Sequence, residues 1–419
     1  MTEQAPRPRA AGEAPPDIRP SALLLAGMRR GALLVFLPVA LAGQGFAWLG
    51  YTISGAYRPF SWLKIGFAYA LGSVRVPFAA TVDDPAGGAA ATTEPFVVAI
   101  GALTVAVVVL AFRAGGEQAG GLEDRPFAAA AAGAAVGIGF AVPSFLIAFP
   151  VRLSFPNLTV DLVRPELWAA LVVPLVLVGV TGATGGIAAA HDHLRSSAWG
   201  VRVAAAARGG FAALWWGLAL AFIGFLALAA VETNATRAYG RAVDAAGAAG
   251  AIAVVHHALL LPNQSAMILS VSMGAPVELA GGGNGATIAL TGIDRVGDGT
   301  LLLGFVGMVE PHVDLPAWYL LFALVPLAAT VIGGRRAGEG ARSPRERAAS
   351  GALAGVVYAV LAVVAAWAAT VVLPALTPLF GGPPHLGPDL GRTFVLALAW
   401  GVLGGVIGAL LPRERERRV

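Results

Sequence analysis

Long apolar runs alternate along the chain with short polar or arginine-containing segments. Eight of these runs approach the ~20 residues that a helix needs to cross a hydrocarbon core of roughly 30 Å. They lie at 31–50, 95–112, 127–149, 167–189, 210–231, 317–333, 348–373 and 393–411. The pattern predicts an all-α polytopic membrane protein with about eight transmembrane helices.

One further apolar region, 245–276, is interrupted by polar residues and backbone breakers. Pro262 removes a backbone donor and clashes with the carbonyl four residues earlier, so the helix must break there. We expect Asn263 and Ser265 to cap a helix that restarts at Gln264, and Asn263→Asp to retain that cap. At Gly274 we expect the chain to reverse with a positive φ.

Broken backbone at membrane depth persists only where protein or a water-filled cavity satisfies the freed polar groups. The region is therefore the candidate site, with either a structural or a binding role. Its polar and backbone-breaking residues are His256, His257, Pro262, Asn263, Gln264, Ser265 and Gly274.

The adjacent histidines project about 100° apart on a helix and cannot both face one metal ion. We therefore interpret His256 and His257 as histidines satisfied by a neighbouring carbonyl or serine, with a proton-relay or substrate role for one of them as the alternative. No metal site is predicted. The segment 191–193, His-Asp-His, is interpreted as a solvated turn.

Segments flanking the spans are predicted from local composition. Residues 51–77 combine aromatic, basic and apolar residues, which is typical of a helix at the lipid–water boundary. Residues 79–94 are predicted as a loop. The glycine-rich stretch 281–285 is interpreted as a flexible turn, and the β-prone runs 286–291 and 300–305 predict a small extracytoplasmic hairpin over the broken region.

Composition supports a membrane location, and the residue content gives no support for a catalysed reaction. Hydrophobic residues make up 57% of the chain and charged ones 12%, against roughly 25% charged in soluble domains. The formal net charge is +4, and it comes from arginines in loops and tails, so nucleic-acid binding is not predicted. There is no cysteine, and the sequence contains no catalytic or cofactor-binding motif. We predict neither enzymatic activity nor a cofactor.

Arginine positions predict the orientation. Arginine-rich segments at 195–208, 334–347 and 412–419 should stay cytoplasmic, as should a disordered tail at 1–28. The domain 29–411 would then lie in a bacterial cytoplasmic membrane with both termini inside. An even number of spans requires the broken segment to enter and leave on one side, as a re-entrant helix pair below an extracytoplasmic loop at 277–316. The alternative is two true crossings here and a further crossing at 59–78.

Gly-xxx-Gly pairs allow close approach of helices in lipid. They occur at Gly133/Gly137, Gly182/Gly186, Gly351/Gly355 and Gly401/Gly405. They are compatible with internal packing or with a homo-oligomer.

Several residues together resemble a known family. They are Leu261-Pro262-Asn263 after an apolar helix, Gly274, the glycine-rich loop, and a span that begins at Leu315-Pro316 and carries Pro326. This order resembles the actinobacterial PerM-like (streptophobe-type) integral membrane proteins. The sequence departs from that pattern at 270–273, where an aromatic residue is expected.

The resemblance implies a non-catalytic role in cell-envelope integrity or cell division, exerted through other membrane proteins of the divisome or envelope. The alternative is a transporter or channel for a small solute, with its site at 256–276. Discontinuous helices in both halves are typical of transporters. A second broken helix in the first half would therefore favour transport.

Overall fold

The computed structural model describes residues 20–54, 61–82, 92–97, 100–122, 125–153, 160–190, 198–281, 284–296, 312–372 and 385–412. Within these ranges the chain is an all-α polytopic membrane protein with two small sheets. The N-terminal half is taken here as 20–190 and the C-terminal half as 198–412.

The N-terminal half begins with one long helical rod, α1, which spans Pro20–Arg30, a π-helical stretch Gly31–Phe36 and Leu37–Ser54. Its remaining helices and strands follow in chain order: α2 Ser61–Gly72, β1 Pro77–Val82, β2 Thr92–Val97, α3 Gly101–Gln118, α4 Pro126–Ala148, β3 Val160–Pro165 and α5 Leu167–Ala189.

In the C-terminal half, helices and strands follow the same order as in the N-terminal half, with additional helices and strands inserted. Its elements are α6 Ala198–Val231, α7 Thr233–Ala246, α8 Ala248–Leu259, α9 Leu261–Met273, β4 Val277–Gly281, β5 Asn284–Ile288, β6 Gly292–Val296, β7 His312–Asp314, a 3₁₀ helix Ala317–Ala323, α10 Leu324–Ala337, a 3₁₀ turn Gly338–Gly340, α11 Pro344–Ala369, β8 Val371–Val372, β9 His385–Pro388 and α12 Leu390–Leu410.

Seven helical segments of the described chain are long and apolar enough to cross a membrane. They are Ser21–Thr52, Pro126–Ala148, Leu167–Ala189, Gly200–Val231, Ala317–Ala337, Pro344–Ala369 and Leu390–Leu410. The eighth predicted span corresponds to α3, which falls outside this set and carries Arg113 and Glu117 in its last turns. It nevertheless packs against α4 and α5 as a member of the bundle.

The two halves repeat one packing scheme. In the N-terminal half α3, α4 and α5 pack on one another, and α10, α11 and α12 do the same in the C-terminal half. A Cβ added to Gly133 of α4 would overlap the carbonyl oxygen of Gly182, and one added to Gly351 of α11 would overlap that of Gly405. Such backbone contact requires glycine, so the Gly-xxx-Gly pairs do serve packing within the chain.

Both sheets lie at one end of the bundle, which we call the sheet end. β1 pairs antiparallel with β2 and β3, and β4 pairs antiparallel with β5 and β9. The full strand orders are β2-β1-β3 and β7-β6-β5-β4-β9-β8. Because β2 contacts β8, the two sheets are neighbours.

Several local predictions were wrong. Residues 20–28 of the predicted tail are helical and begin the first span. The predicted loop 79–94 contains most of β1 and the start of β2, so the helix that follows, α3, begins at Gly101 and not at Pro95. Short strands with few alternating apolar residues gave no clear periodic signal there.

Two other findings concern α2 and the glycine-rich stretch. The second half of α2 is buried inside the bundle, whereas the composition predicts a helix on the surface of the protein. Gly281 and Asn284 pair at the facing ends of β4 and β5 in the six-stranded sheet, so strands extend into the predicted turn 281–285. Residues 282 and 283 lie outside the described residues. Residues 191–193 and 300–305 lie outside the described residues.

Candidate functional site

The break between α8 and α9 forms at Leu260. This residue has φ −88° and ψ −4°, and Pro262 lies in the first turn of α9, where its missing N–H leaves no intrahelical bond unmade. The predicted break is confirmed, but the predicted caps are wrong. No side chain caps the start of α9, and the Ser265 hydroxyl donates to the Leu261 carbonyl at 2.9 Å.

Asn263 instead reaches another helix. Its side-chain amide nitrogen donates to the carbonyls of Ala368 and Ala369, both at 3.3 Å, in the last turn of α11. Those carbonyls have no partner within their own helix. An aspartate cannot donate these bonds. Because Asn263 does not cap α9, the prediction that Asn263→Asp retains that cap is wrong.

The Asn263 side chain also touches the opposite half of the molecule. Its oxygen lies so close to Gly101 that a Cβ there would overlap it. Gly101 is the first residue of α3, whose N-terminus carries partial positive charge. The amide is therefore oriented with its donor toward the carboxyl end of α11 and its oxygen toward the amino end of α3. Asn263 is buried, and its oxygen has no hydrogen-bond partner among the described residues.

Arg75 approaches the same helix end from the N-terminal half. One of its terminal nitrogens donates to the Ala368 carbonyl at 2.6 Å and to the Thr370 carbonyl at 3.3 Å. The guanidinium carbon lies 4.4 Å from the ring centroid of Trp367. A cation at a helix carboxyl end opposes the negative end of its dipole, and an aromatic face adds further attraction. Arginine stays protonated in proteins, so the group is charged at neutral pH.

The backbone of Arg75 is itself unusual. It is the one described non-glycine residue with a positive φ, at 60°. In the C-terminal half the corresponding position after the short helix α9 is Gly274, with φ 97°. The predicted positive φ at Gly274 is therefore confirmed. The left-handed conformation costs an L-residue roughly 1–2 kcal/mol, and at position 75 it is adopted by an arginine that links the two halves.

The carboxyl end of α9 is held by the bundle. The Trp400 indole N–H donates to the Met273 carbonyl at 3.1 Å, and the Tyr358 hydroxyl donates to the Met273 sulfur at 3.3 Å. From there the chain returns within three residues to the sheet end, where the Asp389 N–H donates to the Pro276 carbonyl at 3.0 Å. Helix α9 therefore runs alongside α11 from its end toward its middle, and the chain then turns back.

The two histidines point to different neighbours, as predicted. The His256 ring lies 5.8 Å from the Tyr69 ring, and the His257 ring lies 5.4 Å from that of Tyr239. The Gln264 amide is 3.1 Å from the His257 Nε2 atom. Among the described residues no three His, Asp or Glu side chains are grouped to hold a metal ion.

The structure thus brings Asn263 to a junction between the halves, together with Arg75, which the sequence analysis did not select. We define the seam as the contacts of Arg75 and Asn263 with the last turn of α11, together with the contact between Asn263 and Gly101. In the sequence, Arg75 stands out only as the single charged residue of the largely apolar stretch 71–78. Comparison of the chain with protein-family models, curated proteins and solved structures found no match.

Proposed function

We propose that the protein is a non-catalytic membrane scaffold that acts through other membrane proteins in cell-envelope integrity or cell division. The observation that carries this proposal is that the polar donors of the seam bind the protein's own backbone. Asn263 and Arg75 both donate to backbone carbonyls of α11. The Arg75 bond joins the N-terminal half to α11, and Asn263 links α9 to α11 while its oxygen touches Gly101 of the N-terminal half. Contacts that hold two halves of a bundle together are suited to a rigid platform.

The biological process comes from the resemblance to PerM-like proteins, which rests on residues 261–326. Such a role requires a surface that other membrane proteins contact. Apolar side chains exposed along the spans, such as Leu41, Val180 and Leu403, provide area for lipid or for such partners.

The proposed topology has both termini and the 334–347 segment in the cytoplasm of a bacterial cell and the sheet end outside. In this arrangement α2 and α9 are re-entrant, since each is a short helix followed by a left-handed residue and a short return to a strand. The sequence lacks cysteine, so single cysteines at Arg342 and Asn284 should react with an impermeant maleimide from opposite sides. Reaction from the same side contradicts this topology.

Transport of a small solute is the second candidate. A specific observation favours it: the short helix α9 has a counterpart, α2, in the other half. Transporters built from repeats place their sites where discontinuous helices of both repeats meet. In that case the seam would have to open during the transport cycle.

Variants at the seam distinguish the two functions. Asn263→Ala and Arg75→Ala would be scored for folded yield, for thermal stability in detergent and for rescue of a deletion strain. For a scaffold, rescue should decrease in proportion to folded protein. A variant with normal stability and yield but no rescue would contradict the scaffold and favour transport, as would solute flux through the purified protein in liposomes.

A further inference from the structure

A cavity of about 510 Å³ opens at the sheet end of the N-terminal half. Its wall is formed by the carboxyl end of α4, the strand β3, and the first turn of α5. The charged residues that line it are Arg152, Arg164 and Glu166. It lies outside the seam and has no part in the contacts described above.

The two arginines face each other across an antiparallel bridge. Leu153 and Val163 exchange backbone hydrogen bonds of 2.9 and 2.8 Å. The residues next to them, Arg152 and Arg164, are therefore directly opposite in a non-hydrogen-bonded pair, in which side chains lie closest. Like charges in such a position are destabilising. Among the described residues neither guanidinium has an ion-pair or hydrogen-bond partner.

The surroundings suit an anion at a membrane surface. Leu167 and Trp168 are the first residues of α5 and line the cavity, so the free N–H groups of this 23-residue helix start at its wall. Two aromatic rings at the cavity, those of Phe149 and Trp168, are 52% and 76% exposed. Exposed tryptophan is typical of the depth of lipid headgroups.

The C-terminal half provides an internal comparison. There the bridge of Val371 with Leu386 corresponds to that of Leu153 with Val163. The residues opposite each other at the arginine positions are Thr370 and Gly387, and a Cβ on Gly387 would overlap the threonine side chain. At that position the C-terminal half is closed and uncharged, so the paired arginines are not a requirement of the repeated fold.

We propose that this cavity binds a phosphate group, with Arg152 and Arg164 as its ligands. Guanidinium groups bind phosphate oxygens through paired N–H donors, and two of them outnumber the single carboxylate of Glu166. The phosphate belongs to an anionic phospholipid headgroup in the adjacent leaflet or to a free phosphate-bearing solute. In the proposed topology this leaflet is the outer one.

The test measures lipid and phosphate binding to the purified full chain. Native mass spectrometry in detergent would compare phosphatidylglycerol, phosphatidylcholine and inorganic phosphate, each added to delipidated protein. The variant is R152A/R164A. The matched control is R335A/R336A, which removes two exposed arginines from the end of α10. Thermal unfolding in detergent shows that each protein is folded.

We expect R152A/R164A to weaken phosphatidylglycerol binding by at least about tenfold and the control variant to leave it unchanged. Glu166→Gln should strengthen it, because a repelling carboxylate is removed. Binding of inorganic phosphate with the same dependence on the two arginines assigns the site to a free phosphate group. Equal binding of phosphatidylglycerol and of phosphate by wild type and by folded R152A/R164A overturns the proposal.

Discussion

Truncation of Asn263 to alanine tests the seam most directly. The change removes two donated bonds to the carbonyls of Ala368 and Ala369. Each bond between neutral groups contributes roughly 0.5–1.5 kcal/mol, which gives a loss of about 1–3 kcal/mol. The buried oxygen of Asn263 lacks a described partner, and its removal returns part of that loss. We therefore expect a net destabilisation of about 1–2 kcal/mol.

The assay is thermal unfolding of the purified protein in detergent, where this change should lower the apparent midpoint by on the order of 1–2 °C. Gln264→Ala is the matched control. It lies on the next position of the same helix, is only partly buried, and contacts a side chain, His257, rather than a helix end. Its effect should stay within about 0.5 kcal/mol. Asn263→Asp should not restore the midpoint, because a carboxylate accepts hydrogen bonds but donates none.

A double-mutant cycle with Arg75 tests whether the two side chains share one acceptor. Arg75 and Asn263 share the Ala368 carbonyl as an acceptor, so either one can partly satisfy it when the other is absent. The double alanine variant should therefore lose more stability than the sum of the single variants, by about 0.5 kcal/mol or more. Strict additivity would show that the two donors do not share this acceptor. An Asn263→Ala protein as stable as wild type would show that the two bonds donated by Asn263 do not stabilise the fold.

Three further predictions concern backbone strain and the exposed sheet. Arg75→Gly should be more stable than Arg75→Ala by about 1 kcal/mol, because only alanine retains the left-handed penalty; equal midpoints in detergent would contradict this. Gly274→Ala should destabilise the protein by roughly 1–2 kcal/mol. The control Gly45→Ala, in a helix where no neighbouring atom lies within 4 Å of the added Cβ, should be neutral or stabilising. The same thermal assay compares them, and a Gly274→Ala protein as stable as wild type would refute the predicted strain. Hydrogen bonds to Asp294 and Asp314 raise the pKa of His312 above its usual value. The protonated ring therefore stabilises the β6–β7 pair, fully so below the pKa of the unfolded state. This contribution is lost as pH rises through the pKa of the folded state. NMR titration of labelled histidine should show the raised pKa fall in Asp294→Asn, and an unchanged value would refute the assignment.

Local rules sufficed for much of the secondary structure. Long uncharged runs become membrane helices because a helix satisfies its backbone groups within its own segment, without a partner strand. The break before Pro262 and the left-handed Gly274 follow from the backbone chemistry of single residues. Predictions made on these grounds were confirmed to within a few residues at most helix ends. They were weakest at strands β1 and β2, where the residue pattern has no period to detect.

The repeat of the two halves is not evident in the sequence, because the same geometry is built from different residues. Arg75 corresponds to Gly274, and the arginine pair Arg152/Arg164 corresponds to Thr370 and Gly387. The small residues at helix contacts recur because close backbone approach allows nothing larger. Elsewhere each half has its own side chains, so a comparison of residue types does not detect the correspondence.

The sequence by itself determined the class of protein, most of its spans and the position of the broken helix, since these depend on hydropathy and on residues within about one helical turn of each other. Only the tertiary structure decided what Asn263 and Arg75 do. Their shared acceptor, the Ala368 carbonyl, lies 105 residues from Asn263 and 293 residues from Arg75. The Asn263 side chain could have capped its own helix. In the folded bundle, free carbonyls at the end of α11 lie within hydrogen-bonding distance of its amide, and it binds them instead. Which of the available acceptors a buried donor uses is set by helix packing, and no local pattern encodes that choice.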